Sequence, residues 1–207
     1  MTAEGHLLFS VASLIMAHKL QITPEFAQGD WLHMVPGVLL GALLPDIDHP
    51  SSILGRLFRI ISLPISKLCG HRGFTHSLIA WLILLISSYQ WLPHYWDLPP
   101  DLIQAFLLGY MSHLIADMLT PSCVPFLWPL PLRFCFPVLR GKSSKRGERF
   151  IAVLLTVCAV LIPAGHPADW FQQIESALNY FNNQINIHLP TKTSLLKYTV
   201  SINQPKL

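Results

Sequence analysis

Residues 102–119 read LIQAFLLGYMSHLIADML, an apolar run that predicts a helix with two ionisable residues near its end. His113 and Asp117 are four positions apart, so both side chains leave one face of that helix about one turn apart. Ionisable groups are costly at membrane depth, so this pair should face other helices or a wet cavity. The spacing predicts either a buried His–Asp bond between helices or part of a metal site.

The composition argues against an ordinary water-soluble domain. Of the 207 residues, 52% are hydrophobic and 12% are charged, about half of the roughly 25% charge of soluble domains. Apolar residues fall in blocks over 7–17, 31–44, 77–92, 102–119 and 151–163. They predict an all-α helical membrane bundle with four to five membrane-embedded helices. The predicted domain covers 1–165, and an amphipathic, loosely ordered tail covers 166–207.

Charge and cysteine spacing argue against a nucleic-acid partner and against a cysteine-based framework or metal site. A net charge of +3 is too small to indicate a nucleic-acid partner, so none is predicted. The four cysteines, Cys69, Cys123, Cys135 and Cys158, have no CxxC spacing. They predict ordinary thiols rather than a disulfide framework or a thiolate zinc site.

Basic residues gather before the third and fifth blocks. They are Arg56, Arg59, Lys67 and Arg72 in the first loop, and Arg140, Lys142, Lys145, Arg146 and Arg149 in the second. The loop between them, 93–101, has no Lys or Arg. The positive-inside rule therefore puts both basic loops in the cytoplasm of a multi-pass inner-membrane protein. Residues 50–73 predict a helix on the bilayer surface, broken at Pro64.

Two further segments bring histidines and aspartates to the same predicted cytoplasmic end. Leu44-Pro45-Asp46-Ile47-Asp48-His49-Pro50 leaves the second block, and His71-Arg72-Gly73-Phe74-Thr75-His76-Ser77 enters the third. His6 lies at the entrance of the first block and is weaker evidence. Each segment alone could be a polar helix end or an interfacial histidine. Gathered in one half-buried pocket, these groups would repel or protonate without a cation, so together they predict divalent metal. His18, His33, His94, His166 and His188 have no such companions and are predicted to lie outside the site.

His6, LPDIDH (44–49), HRGFTHS (71–77) and HLIADMLTP (113–121) together resemble the bacterial YdjM-like family over about residues 1–165. The resemblance implies an inner-membrane, metal-dependent hydrolase linked to the SOS damage response. It also implies a distant relation to zinc-dependent phospholipase C and single-strand-specific nucleases, and hence an α-helical multi-zinc phosphoesterase site.

On this basis we expect metal-assisted hydrolysis of a phosphoester, with a lipid or lipid-linked substrate at the cytoplasmic membrane surface. The candidate metal ligands are His6, Asp46, Asp48, His49, His71, His76, His113 and Asp117. Asp46, Asp48 and Asp117 are also candidates for the catalytic base, and Arg72 for gripping a phosphate oxygen. Mixed imidazole and carboxylate ligands suit zinc, although manganese and iron are compatible.

Two other classes stay open from the sequence. An ion or proton pathway would also place His113 and Asp117 at membrane depth. A non-catalytic, metal-stabilised membrane scaffold would use the same ligands to join helices. An open coordination position would favour an enzyme, and a closed one would favour the scaffold.

Overall fold

A computed structural model of the chain describes residues 2–69, 73–120, 123–130, 132–136, 145–162, 164–165, 169–170, 172 and 175–181. The helices are α1 (Ala3–Lys19), α2 (Pro24–Gln28), α3 (Trp31–Leu43), α4 (Ile53–Leu57), α5 (Arg59–Cys69), α6 (Leu78–Gln90), α7 (Leu92–Tyr95), α8 (Pro100–Met118) and α9 (Lys145–Leu161). Two 3₁₀ turns, Pro45–Asp48 and Phe74–His76, follow α3 and precede α6. The all-α prediction is confirmed, since one isolated β-bridge is the only strand-like pairing within the described ranges. The chain divides into Met1–Ala164 and Gly165–Leu207; in the second unit, residues 175–181 are helical.

Side-chain caps determine where the helices around the predicted site begin. The Thr2 hydroxyl accepts a hydrogen bond from the Gly5 amide at 3.3 Å, and Ser77 accepts one from the Ala80 amide at 3.1 Å. Caps of this kind satisfy amides that have no partner inside the helix. They fix His6 in the first turns of α1 and His76 immediately before the start of α6.

The closest helix packing joins α3 to α8. A Cβ atom added at Gly41 would lie 1.9 Å from the carbonyl oxygen of Phe106, and one added at Gly109 would lie 2.1 Å from that of Val38. Glycines at such positions let two helix backbones approach more closely than any other residue would allow. α3 also continues through Pro36, so this proline does not end the helix.

Apolar side chains fill the bundle on both sides of this contact. One buried cluster joins α1, α2, α3 and α8, and its members are Leu14, Ala17, Phe26, Met34, Val38 and Ala105. A second joins α6 and α8 to the loop after α8, and its members are Ala80, Tyr110, Leu114 and Val124. The second cluster packs directly beside the helix turn that carries His113 and Asp117.

The segment predicted to lie on the bilayer surface forms two helices, α4 and α5. The predicted break at Pro64 is wrong, because α5 runs through this residue and the chain instead turns at Phe58, between the two helices. Ile60 on α5 is 90% exposed and Leu57 on α4 is 72% exposed. Large apolar side chains therefore lie on the outside of this segment.

The loop after α8 is closed by a disulfide between Cys123 and Cys135, whose Cα atoms are 4.7 Å apart. The prediction that these two residues are ordinary thiols is wrong. Val124 and Phe134 form a two-way bridge that brings the cysteines together, and nothing in their sequence spacing reveals this hairpin. Cys158 is a free, exposed thiol.

Among the described helices, none is both long enough and apolar enough to cross a bilayer.

We predict that Gly109→Ala destabilises the protein, although alanine favours helix over glycine by about 1 kcal/mol. The added methyl would meet backbone atoms of α3, and overpacking of this kind costs about 1–3 kcal/mol. Thermal unfolding of purified protein should show a lower midpoint for Gly109→Ala than for Ile115→Ala, which changes an exposed position on the same helix. A midpoint at or above that of the wild type would contradict the close α3–α8 contact.

Candidate metal centre

Four elements bring the predicted histidines and aspartates into one cluster. The residues are His6 on α1, Asp46 on the first 3₁₀ turn, His76 on the second, and His113 and Asp117 on α8. His6, His76, His113 and Asp117 are each at most 2% exposed. Asp46 is 24% exposed, so the cluster reaches solvent at this carboxylate.

The ligand atoms are spaced as the ligands of a metal ion would be. Two overlapping groups, His6/Asp46/His113 and His76/His113/Asp117, each place three such atoms within 4.8 Å of one another. Nε2 of His113 lies 3.7 Å from Oδ1 of Asp46 and 3.9 Å from Oδ2 of Asp117. These distances exceed hydrogen bonds. Atoms bound to one tetrahedral zinc at about 2.1 Å lie roughly 3.4 Å apart, so the spacing fits an ion between them.

The orientation of His113 is set by α3. Its Nδ1 lies 2.6 Å from the carbonyl oxygen of Ala42, and because a carbonyl can only accept, Nδ1 must carry the proton. Nε2 then presents its lone pair to the cluster, as in many metal-binding histidines. This nitrogen is buried and has no hydrogen-bond partner in the described part of the chain, which is the state that a cation would relieve. The His6 ring stacks on that of His113 at 3.7 Å between centroids.

His76 is held from behind by Asp48 and Thr75. Its Nδ1 lies 3.3 Å from Oδ2 of Asp48, and the Thr75 hydroxyl donates to the same carboxylate oxygen at 2.8 Å. The Tyr110 hydroxyl donates to the carbonyl oxygen of Thr75. Nε2 of His76 therefore faces Asp46, at 3.6 Å from Oδ1.

The charges of the cluster shift two pKa values in opposite directions. Burial lowers the pKa of His76, but the carboxylates of Asp46 and Asp48 more than offset this and raise it to about 9. Burial raises the pKa of Asp46, but the imidazole of His76 and the neighbouring His113 outweigh burial and hold it well below its usual range. These shifts favour a protonated His76 beside an ionised Asp46 when no cation is bound. Binding of a metal ion through Nε2 of His76 would displace that proton.

The part of the chain that matches a known family includes every residue of the cluster. The family model described as YdjM inner membrane protein matches residues 1–169. The chain belongs to the YdjM inner membrane protein family. Inner membrane protein YdjM of Escherichia coli (strain K12) and that of Shigella flexneri are each 48% identical to it over 186 residues, which cover 90% of this chain and 92% of the relative. Uncharacterized protein YvsG of Bacillus subtilis (strain 168) is 31% identical over 159 residues, covering 77% of this chain and 92% of that relative. No solved structure matches.

Not every residue predicted for the site of this YdjM-family chain faces the cluster. Asp48 is fully buried behind His76, so its geometry is that of an orienting carboxylate. Nδ1 of His49 lies 2.7 Å from the Ser51 hydroxyl, and His49 belongs to neither three-residue group. His71 and Arg72 lie outside the described residues. The proposed roles of these four residues stay predictions.

Sequence reasoning missed several contacts around the cluster. The Ala42 carbonyl and the Tyr110 hydroxyl orient it, yet neither residue type signals a metal site. Thr75, next to His76, carries no such signal either, because threonine is not a typical metal ligand. At the other end of α3 and α8, Nδ1 of His33 lies 3.2 Å from Oδ2 of Asp101, a companion 68 positions away that sequence spacing does not reveal.

We predict that His113→Ala loses most of the bound metal of the purified protein, because both three-residue groups share this imidazole. Elemental mass spectrometry after metal-replete preparation would measure the metal-to-protein ratio. The matched control is His94→Ala, which removes an exposed histidine on α7 and should leave the ratio unchanged. A wild-type protein without near-stoichiometric metal, or equal metal in both variants, would contradict the assignment.

Proposed function

We propose that this YdjM-family chain is a membrane-bound, metal-dependent hydrolase of phosphoesters, acting on a lipid or lipid-linked substrate. The observation that supports it is a buried His/Asp cluster with one partly exposed carboxylate, Asp46. A purely structural metal site is closed by its ligands, whereas a catalytic one keeps a side open to substrate. Asp46 marks such an open side.

The donor set suits zinc, with manganese or iron as compatible ions. His6, His76, His113 and Asp117 would hold the metal, and Asp48 would keep His76 in its ligating tautomer. When bound, such an ion supplies Lewis acidity, which makes a nearby water more acidic and stabilises charge on a phosphoryl oxygen. Asp46, ionised and partly exposed, would accept the proton of the attacking water; because its pKa is low it is a weak base, so this transfer depends on the acidity that a bound ion would give the water.

An ion or proton pathway is less well supported. Polar groups occur at both ends of α3 and α8, with His33 and Asp101 at one end and His113 and Asp117 at the other. Between them lies the buried apolar cluster that includes Met34, Val38 and Ala105. A buried apolar layer of this kind is a barrier to ions. A metal-stabilised scaffold would account for the buried ligands but not for the exposed side of Asp46.

Membrane attachment is supported by the surface and by the relatives. Relatives at 48% identity are named inner membrane proteins. Large apolar side chains are exposed on the surface, among them Ile60 (90%), Leu57 (72%) and Leu32 (80%). Their contact with water is unfavourable in free energy, and contact with lipid would remove this cost. We infer a multi-pass bundle with lipid as its surroundings. Expression within the SOS response and the absence of a nucleic-acid partner stay predictions.

We predict that the metal-loaded protein hydrolyses bis(4-nitrophenyl) phosphate, an unspecialised phosphodiester, and that chelation abolishes this activity. Asp46→Asn should lower kcat by about a hundredfold or more, the usual effect of losing a general base. Asp97→Asn, at an exposed carboxylate away from the cluster, should retain full activity. Rates are to be normalised to bound metal, so that loss of the ion is not mistaken for loss of the base. Equal rates in Asp46→Asn and wild type would overturn the role of Asp46.

Two features near the His/Asp cluster indicate opposite sides of the membrane for it. Arg56, Arg59 and Lys67 near this end favour the cytoplasm. The disulfide between Cys123 and Cys135 lies in the loop that bonds to the end of α8 through Phe136, and disulfides are typical of oxidising compartments. We propose the cytoplasmic orientation, because basic loops act during insertion, before a disulfide forms.

Cysteine labelling in spheroplasts tests this orientation. With the native cysteines replaced by serine, Ser51→Cys at the cluster end should resist a membrane-impermeant maleimide until the membrane is permeabilised. Asp97→Cys at the opposite end should react at once, since both native residues are exposed. The reverse pattern would put the cluster in the periplasm and give the disulfide its ordinary environment.

A further inference from the structure

An apolar groove follows α6 away from the metal cluster. A cavity of about 240 Å³ lies against Thr75, Leu84 and Ser87. A second cavity of about 380 Å³ shares Leu84 and Ser87 with the first and extends as far as Leu92 and Leu98. Because they share Leu84 and Ser87, the two cavities are neighbours along α6, and together they are here called the α6 groove. Its walls include Leu40, Leu84, Ser87, Leu92, Leu102 and Phe106.

The walls of the α6 groove suit hydrocarbon. None of the described residues that line it is charged at neutral pH, and the polar ones are Thr75, Ser87, Ser88 and Tyr110. The hydroxyls of Thr75 and Tyr110 are already bonded, to Asp48 and to the Thr75 carbonyl. Apolar walls of this kind are stabilised when hydrocarbon rather than water covers them.

One end of the groove lies beside the polar cluster. Thr75 contributes to the groove wall, and its hydroxyl donates to Asp48 at 2.8 Å, directly behind His76. Ile47, between Asp46 and Asp48 in the chain, lines the same cavity. Through Ile47 the groove is next to Asp46, the partly exposed carboxylate of the cluster, so an occupant with its hydrocarbon along α6 would have its polar end there.

The dimensions of the groove match a lipid chain. The groove residues on α6 run from Ala80 to Ser88, which at 1.5 Å per residue is about 12 Å, and Leu92 and Leu98 extend the groove beyond them. One leaflet of a bilayer has a hydrocarbon depth of roughly 15 Å, half of the core. Leu40 and Ile83 on its walls are 54% and 50% exposed, so the groove is open sideways, where a chain could enter from surrounding lipid.

We propose that the α6 groove binds one acyl chain of a lipid phosphoester whose phosphate lies at the metal cluster. The position of the phosphate rests on the proposed hydrolase function. The acyl chain is the occupant because the groove combines uncharged walls, the length of one leaflet and an end beside a site suited to an anion-binding metal.

Photo-crosslinking tests this assignment without relying on turnover. The probe is palmitoyl-lysophosphatidic acid with a diazirine at the end of its chain, added to metal-loaded protein in phosphatidylcholine nanodiscs. Saturable labelling should map by peptide mass spectrometry to residues 92–106, which carry the far end of the groove. Excess unlabelled palmitoyl-lysophosphatidic acid should compete, whereas monopalmitoylglycerol, which lacks the phosphate, should compete far less.

Ser87→Phe would fill the part of the groove that the two cavities share and should reduce the saturable labelling at least fivefold. Ile86→Phe adds the same ring at a 57% exposed neighbouring position outside the groove and should label as the wild type does. Leu84→Ala removes a side chain that lines both cavities, adds no bulk and should reduce labelling several-fold. This variant keeps the test valid if Ser87→Phe does not fold. Metal content in each variant checks that the cluster is intact.

Labelling that is not saturable, that maps elsewhere or that is unchanged in both Ser87→Phe and Leu84→Ala would overturn the groove assignment. Equal competition by monopalmitoylglycerol would overturn the position of the phosphate. Should no phosphoester be hydrolysed while phosphate-dependent labelling of residues 92–106 persists, the hydrolase proposal fails and the acyl-chain site stands.

Discussion

The close approach of α3 and α8 is the constraint on which the cluster depends. Gly41 and Gly109 leave no room for a Cβ atom, so the two backbones are in direct contact over the turn before His113. That contact brings the Ala42 carbonyl within 2.6 Å of Nδ1 of His113. A wider helix separation would break this bond, free the ring to rotate and leave either nitrogen to carry the proton. The tautomer that can bind metal is therefore a consequence of backbone packing, and it exists before any ion arrives.

His76 is also oriented by its surroundings, but by a side chain rather than by the backbone of a neighbouring helix. His76 is not in a helix but on a short 3₁₀ turn, where backbone geometry alone would orient it poorly. Buried Asp48, itself bonded by Thr75, supplies the missing restraint. A backbone carbonyl thus orients the His113 ring and a carboxylate orients the His76 ring. In both rings, Nε2 is left to face the centre of the cluster. Sites prepared in this way bind ions without reorganising at the moment of binding.

Much of this cluster could be predicted from sequence, because its signals are local. The i, i+4 spacing of His113 and Asp117 fixes a shared helix face whatever the tertiary structure. Asp46 and His76 lie in short motifs next to helix ends. The positions of the basic loops predict that these helix ends meet at the same end of the bundle. The role of Asp48 could not be separated from that of Asp46, since which of two carboxylates turns inward depends on the 3₁₀ turn. The Cys123–Cys135 disulfide was missed for a related reason, because its hairpin is held by Val124 and Phe134 rather than by a recognisable turn motif.

The outer surface and the cluster impose opposite requirements on the surroundings. The buried imidazoles and carboxylates could hold a cation, whereas the exposed isoleucines and leucines of α4, α5 and α6 are costly in water. A bilayer headgroup region meets both needs at once, since it offers hydrocarbon on one side and ions on the other. The α6 groove continues this division inside the protein, with alkyl walls leading to a polar end at Thr75. An amphiphile could therefore move from bilayer to site without its chain entering water, which would avoid the free-energy cost of exposing that chain to water on the way to a soluble enzyme.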